Sequence, residues 1–325
     1  MSSTDGNQEP KDNGARPGRG WPLLASLCAF GSALGSVLRF GPRDGIQILA
    51  PVFYAMPPAV IAAMAVLAFL LVFKRSGWLR PGTGLLAIVQ LCVLCSGWRT
   101  AEPVPGPIKL GFWNVSSGGL GWDSITDQIR SWDADIIGLA ESNLHFSRDD
   151  PAARRKYWKQ RFEGYNVVRF PRGMRLITKY PVEEVSKGKL ALRSNYGIAR
   201  VQIGRQTVHV VMADLLSGPT LPRGPSFVAL MQLIRDLPPG PVVLMGDMNT
   251  PTESVHIDDL RQGFRNAFEE KGTGFYHSWP MPFPVLPLDQ VWVNDGFEVG
   301  SCQLEWTTRS DHRPMLVTLA LTLKP

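Results

Sequence analysis

Little in this chain works through cysteine. Four occur in 325 residues: Cys28, Cys92 and Cys95 inside apolar stretches and Cys302 alone near the end. No disulfide framework can be drawn from them. Cys92 and Cys95 form a C-x-x-C, but Leu91, Val93 and Leu94 surround it and no second ligand pair follows, so these read as small apolar side chains. A glycine-rich loop of the phosphate-cradling kind is missing, and so is any internal repeat. Excess charge is missing too. Residues 1–107 hold 9 of the 34 Lys+Arg and 5 of the 28 Asp+Glu, leaving 25 and 23 for residues 108–325. A domain this close to neutral is a poor match for one that lives on long nucleic-acid contacts.

The front third is short of charge in another way. After a polar, Gly- and Pro-rich opening over residues 1–20, expected to be a disordered tail, three stretches carry almost no charge: Trp21–Leu38, Ile46–Phe73 and Pro81–Trp98. Their lengths suit roughly 17–25 residues of membrane-spanning helix. Core helices of a soluble protein would show a polar face, which these lack. The expectation is therefore a membrane region of about three spans over 21–98. Lys11, Arg16 and Arg19 before the first span, and Lys74, Arg75 and Arg80 after the second, outnumber Arg39 and Arg43, and Arg99 and Lys109, at the opposite ends. That bias puts the tail inside and everything after Trp98 on the extracytoplasmic side of a multi-pass protein. Residues 99–107, containing "TAEPVPGP", read as a Pro-rich linker.

From Ile108 to Pro325 the texture changes to short apolar runs separated by helix-like segments. Strands are expected at 108–113, 135–140, 175–179, 197–203, 207–213, 241–246, 290–294 and 314–321, each rich in Val, Ile or aromatics and bounded by turn residues. Helices are expected at "DSITDQIRSW", starting from an Asp cap, and at "SFVALMQLIRDL". The second places Phe227, Leu230, Met231 and Ile234 on one face behind Ser226 as cap. Many strands with few helices argue an α/β or α+β domain, its sheets stacked and its helices outside.

Polar residues recur at the strand ends: Asn114 after "LGFW", Glu141 after "IIGLA", Asp247 and Asn249 after "VVLMG", Asp289 before "QVWV", and Asp311 with His312 before "RPMLV". Asn and Asp favour turns, and every strand must end in one. As a set they ask for more. Asp247 and Asn249 stand two apart, so an extended chain would point both side chains to one side, with Pro251 stopping the strand. One could then take a proton while the other holds an oxygen of the substrate.

The blocks "GFWNV", "GLAES", "GMRLITKYPV", "GDMNTP", "LDQVWV" and "SDHRPM", in this order over 108–325, resemble the endonuclease/exonuclease/phosphatase superfamily, in its membrane-anchored bacterial branch. The resemblance implies a four-layered sandwich of two packed mixed sheets flanked by helices, with the site at one rim. It implies a divalent cation, Mg²⁺ or Mn²⁺, on Glu141, with Asn114 beside it and Asp311 in support. It also implies Asp247 to orient or deprotonate water, Asn249 and His312 on the phosphate, and Asp289 fixing the imidazole. One block departs from the pattern. Where most relatives carry a phosphate-donating His, this chain reads "MADLLSG" with Asp214, and His209, an odd five residues earlier, would face the other way. Asp214 is accordingly expected to alter the choice of substrate.

Two further segments stand out. "RRKYWKQR" at 154–161 suits either a phosphate or headgroup patch or a solvated helix. "WPMPFPVLPLDQ" at 279–290 is a stiff apolar loop suited to lining a pocket or facing a bilayer. The implied substrate is a phosphate ester in a lipid headgroup, a nucleotide or a nucleic acid, and no protein partner can be inferred. Two other readings stay open: a cell-surface nuclease, and a non-catalytic binding protein on the same fold, the latter because of Asp214.

Overall fold

A computed structural model describes residues 20–73, 77, 79–119, 121–144 and 150–322. Residues 1–19 of the expected tail, and Lys74 and Arg75 of the charge comparison, lie outside that range.

Four helices come first: α1 (Gly20–Phe40), α2 (Ala50–Ala55), α3 (Pro58–Val72) and α4 (Leu79–Ser96). α1 and α4 are long and apolar enough to cross a membrane. The middle stretch, expected as one of the three spans, is broken. Pro57 and Pro58 cannot continue a helix from residue 56, so a turn and the six-residue α2 precede α3, which has only 15 residues. α3 packs between α1 and α4. It buries Ile61, Ala62, Ala65, Ala68 and Val72, whereas Leu23, Leu27, Phe30, Leu70, Leu85 and Ile88 of the three helices stay exposed.

The rest is built on two six-stranded sheets, with strands numbered in chain order. The first runs β10 (Arg265–Asn266), β12 (Asp289–Val293), β9 (Val242–Asp247), β8 (Gln206–Asp214), β7 (Asn195–Ile203), β6 (Val182–Lys189). The second runs β13 (Phe297–Leu304), β14 (Met315–Leu321), β2 (Ile108–Asn114), β3 (Ile136–Ala140), β5 (Arg175–Thr178), β4 (Asn166–Arg169). Each sheet is antiparallel except for one central parallel pair, β8 with β9 and β2 with β3.

The period of two along each strand sorts side chains into layers. Leu110 and Phe112 of β2 meet Val210 and Met212 of β8 and Val243 and Met245 of β9 between the sheets. Trp113, Ile137 and Leu139 point outward to Ile125 and Ile129 of α5 (Trp122–Ser131) and Trp158 of α6 (Pro151–Arg161). Val211, Leu244 and Trp292 point outward on the other side to Phe227, Leu230, Met231 and Ile234 of α7 (Gly224–Arg235). Each of those four helical side chains contributes roughly 1.5–3 kcal/mol on burial. The domain is an α/β sandwich of two mixed sheets between helices.

Local details differ from expectation. α7 starts two residues earlier than its supposed cap, with Pro225 in its first turn; Ser226 is instead buried, its hydroxyl 2.7 Å from that of Ser194. α5 starts at Trp122, so Asp123 sits in the first turn and pairs with Arg161 rather than capping. The "RRKYWKQR" segment is helix α6, anchored through buried Trp158. β4, β6 and β13 were not expected. β6 reads VEEVSKGK, an edge strand with hardly an apolar residue to betray it. The 99–107 segment lies on the domain rather than standing free of it. β1 (Trp98–Thr100) pairs with β11 (Thr273–Phe275), and Val104 N donates to Gly300 O at 2.8 Å.

Candidate active site

The site forms where the central parallel pairs end. In the first sheet the register sets Asp214 of β8 beside Asp247 of β9, and Asp247 beside Asp289 of β12. Three carboxylates thus stand in a row across adjacent strands, on the face that Met212, Met245 and Val291 turn toward the other sheet. Gly246 permits this closeness, since a Cβ there would lie 2.0 Å from the Ala213 carbonyl oxygen. In the second sheet Asn114 ends β2 beside Ala140, the last residue of β3. Glu141 follows with φ 51°, a left-handed turn that throws its carboxylate to the surface. The Asn114 amide bridges the two sheets, donating to Asp247 Oδ2 at 3.0 Å and Glu141 Oε1 at 3.3 Å. Its own Oδ1 accepts from Ser116 N, which fixes which way the amide faces.

His312 enters from the loop before β14. Its Nδ1 is 2.7 Å from Asp289 Oδ2, and Asp289 is fully buried. Ser310 Oγ donates to Asn114 O, His312 N donates to Ser310 Oγ, and Trp113 Nε1 donates to His312 O, so this loop is pinned to β2. Burial works against a charge on the ring. Asp289, aided by Asp247 and Asp311, overrides it and pushes the imidazole up to about 10, an imidazolium at neutral pH. Burial and then Asp289 push Asp247 up to about 7, opposed by His312 and by the Asn249 N–H at 2.9 Å.

Asn249 reaches the site by a different route from the one expected. β9 ends at Asp247, and Asn249 adopts φ 49° beyond it, its amide donating to Leu215 O at 3.0 Å. A left-handed turn, not an extended strand stopped by Pro251, puts it near Asp247. Asp311 is exposed and accepts from Trp279 Nε1 at 3.1 Å. His209 lies on the opposite parity of β8 from Val208, Val210 and Met212, turned away from the site.

Asp214 has a partner the sequence did not suggest: Arg172 Nε lies 3.5 Å from its Oδ2. Burial raises the Asp214 carboxyl to about 6, with Arg172 opposing and Glu141 adding to the rise. Arg172 has φ 54°, and its Nη1 donates to Arg193 O. The only sign of it in the chain was its position one residue ahead of the "GMRLITKYPV" block. A cavity of about 970 Å³ joins Glu141, Asp214, Asp247, Asn249, Asp311 and His312 with Arg172, Arg193 and Trp279. Asn114 and Asp289 stand behind its wall through their bonds to Asp247 and His312.

The donors suit a hard divalent cation. Glu141, Asp247 and Asp311 offer carboxylate oxygens, with Glu141 on the open side, whereas Asn114, expected beside the cation, turns its N–H groups to Glu141 and Asp247 and its oxygen to Ser116 N. Among the described residues the buried Asp289 Oδ1 has no hydrogen-bond partner. Asp247, Asp289 and His312 also bring ligand-type atoms within 4.8 Å of one another. There, however, Nδ1 of the imidazole is already engaged by Asp289, so that trio reads better as an ion-paired relay than as a cage.

The sequence profile of the Endonuclease/Exonuclease/phosphatase family matches residues 111–312, well over half of the chain. The chain belongs to this family. Its members are phosphoester hydrolases, and the two-sheet architecture is the family's. No curated protein matches. Among solved structures, a humanized D. rerio TDP2 is 16% identical with a TM-score of 0.51, covering 65% of this chain and 98% of its own. A Bacteroides thetaiotaomicron mannosyl-6-phosphatase is 17% identical at 0.51, covering 65% and 99%. The human Nocturnin catalytic domain with bound sulfate is 16% identical at 0.51, covering 69% and 97%. At such identities these structures establish the fold alone. They match about two thirds of this family member.

Proposed function

We propose that the protein is a membrane-anchored phosphohydrolase that cleaves a phosphodiester or phosphomonoester by in-line attack of water and depends on Mg²⁺ or Mn²⁺. One observation carries this reading: Asn114, Glu141 and His312 from one sheet meet Asp247 and Asp289 from the other at one cavity. A cation held by Glu141, whose carboxylate the Asn114 amide orients, with Asp311 near, would supply charge to offset that building on the phosphoryl oxygens. The His312 imidazolium, held by Asp289, donates to the same oxygens and stabilises the pentavalent arrangement. Asp247 accepts the proton of the attacking water, and burial beside Asp289 gives it the basicity to do so near neutral pH. Asn249 holds a phosphate oxygen.

Arg172 takes the place of the missing histidine. Its guanidinium is tethered by Asp214 and half-exposed toward the cavity, so a carboxylate in the donor slot still brings a cation to the phosphate. Removing one such donor costs about 10²–10³ in rate. Arg172→Ala should therefore fall by that order, while Asp214→Asn, which only loosens the tether, falls less.

The anchor is the bundle of α1, α3 and α4, in which α3 returns the chain between the two longer helices and the exposed apolar faces meet lipid. With three crossings, the Lys and Arg bias argues for a catalytic domain on the extracytoplasmic side. Two outcomes would favour the rival readings. Mg²⁺-dependent nicking of plasmid in preference to small esters indicates a nuclease. Ester binding without turnover indicates a binding protein. The deciding assay is hydrolysis of bis-p-nitrophenyl phosphate and p-nitrophenyl phosphate by the full chain with Mg²⁺, with Mn²⁺ and with chelator. Turnover that survives chelation, or survives both Glu141→Ala and Asp247→Ala, would sink the proposal.

A further inference from the structure

The cavity lining is of two kinds. Glu141, Asp247 and His312 are the catalytic part. Pro51, Tyr54, Ala55, Leu216, Pro219 and Leu221 are largely apolar, with Arg223 the charged group beside the Tyr54 ring. Pro51, Tyr54 and Ala55 belong to the connector between α1 and α3, ahead of the residues the family profile covers. A wall of the pocket is thus supplied by the helical region.

The connector is built into the domain. Asp44 is buried; its carboxylate accepts from Tyr54 OH at 2.6 Å, Ser254 Oγ at 2.6 Å and Val255 N at 3.0 Å. Arg39 pairs with Glu253 at 3.0 Å and donates to the carbonyls of Phe53 and Met56. Arg43 binds Asp258 and the Glu253 carbonyl, and Gln47 donates to Thr220 O at 3.0 Å. The Arg223 guanidinium lies 5.0 Å from the Tyr54 ring centroid. Of the two segments gripped in this way, 253–258 and 217–223, the second lines the cavity. The wall is fixed, not a cover resting on the mouth.

Its position gives the connector side of the cavity a direction. The connector leaves the C-terminal end of α1 and enters the N-terminal end of α3, at the end of the helical bundle that meets the domain. Ile46 and Ile48 of the connector are exposed, and so is Leu221 on the cavity wall. With α1, α3 and α4 across a bilayer, the connector side of the cavity lies at the bilayer surface.

We infer that the connector wall is a subsite for the apolar part of a membrane-borne phosphate ester. The phosphate lies among Glu141, Asp247 and His312, and the chain runs past Ala55 and Leu221 into the lipid. The phosphate end of this assignment rests on the hydrolase reading, whereas chain binding is separately measurable.

The test uses the full chain in nanodiscs, with hexadecylphosphonate against methylphosphonate as non-hydrolysable probes. Dioleoyl phosphatidic acid against glycerol 3-phosphate serves as the substrate pair. Ala55→Asp and Leu221→Asp put charge on exposed positions of the wall. Ala55→Val and Leu221→Met keep it apolar and serve as folding controls. The expected result is that either Asp variant lowers the long-over-short affinity ratio, and the matching kcat/KM ratio, at least tenfold, while the apolar variants hold both. Equal ratios in the wild type and both Asp variants overturn the subsite. Preference for soluble dihexanoyl phosphatidic acid over the bilayer-borne ester overturns its membrane source. A wild type that prefers the long phosphonate yet hydrolyses neither ester refutes the hydrolase reading and leaves the subsite standing.

Discussion

Asp289 and Glu141 are both acidic, one behind the cavity wall and one on it, and their environments predict opposite behaviour on mutation. Asp289 is fully buried and holds the charged ring of His312 at 2.7 Å. Asp289→Ala removes one partner of a buried ion pair, which typically costs about 3–5 kcal/mol. A clear fall in melting temperature should accompany the loss of turnover. Glu141 is exposed, and its Oε1 accepts one bond from Asn114. Glu141→Gln keeps that acceptor, so turnover should fall by at least 10² with the melting temperature unmoved. Equal melting shifts in the two variants would argue that both residues are structural. His277 offers a pH test away from the chemistry. Burial, then Arg313 and Arg39, depress it to about 4. Its neutral form is the folded one, so its contribution is complete above about pH 6.5 and drains away as pH falls toward 4, at up to about 1.4 kcal/mol per pH unit. Chemical denaturation between pH 7.5 and 4.5 should show a shallower acid loss for His277→Gln than for the wild type.

At the scale of elements, the parallel pair β8–β9 decides where the carboxylates stand. Its closeness depends on Gly246, where a Cβ would meet the Ala213 carbonyl oxygen at 2.0 Å. Backbone cannot give way as a flexible side chain can. Gly246→Ala should therefore force the strands apart, costing roughly 1–3 kcal/mol as an overpacked site. It should also shift Asp247 from the amide of Asn114, so turnover falls more steeply than stability. Equal kcat in the variant, by the same ester assay, would show that the register tolerates the change. The short left-handed turns at Glu141 and Asn249 do comparable work. Each aims a functional side chain at the moment a strand ends.

For the whole molecule, the helical region and the sandwich act as one unit through Asp44, which ties the connector to the loop following Asp247 and Asn249. Asp44→Ala would leave Tyr54 OH, Ser254 Oγ and Val255 N without their acceptor, at about 1–3 kcal/mol for each buried group that finds no water. The variant should melt earlier and lose activity, although Asp44 lies outside the catalytic set. Limited proteolysis should show new cleavage within 41–57. A wild-type cleavage pattern with full turnover would mean the two parts are merely adjacent.

Periodicity and turn chemistry within the chain itself determined a good deal. The eight expected strands all form, because each runs apolar between turn residues and is buried on at least one face. The four apolar positions of α7 face the core as their spacing requires. Asn114, Glu141, Asp247, Asn249, Asp289, Asp311 and His312 were legible as residues ending or preceding strands. Tertiary structure decided what spacing cannot carry. The row Asp214–Asp247–Asp289 depends on sheet order, since residues 33 and 42 apart become neighbours only through register. Arg172 became a partner of Asp214 because two sheets fold face to face, and a strand edge such as β6 carried no apolar pattern to read. The middle apolar stretch looked like a span by composition, but Pro57 and Pro58 broke it, and docking through Asp44 turned its first half into pocket wall. Local sequence sets which face a side chain takes; only packing over long separations sets what it meets there.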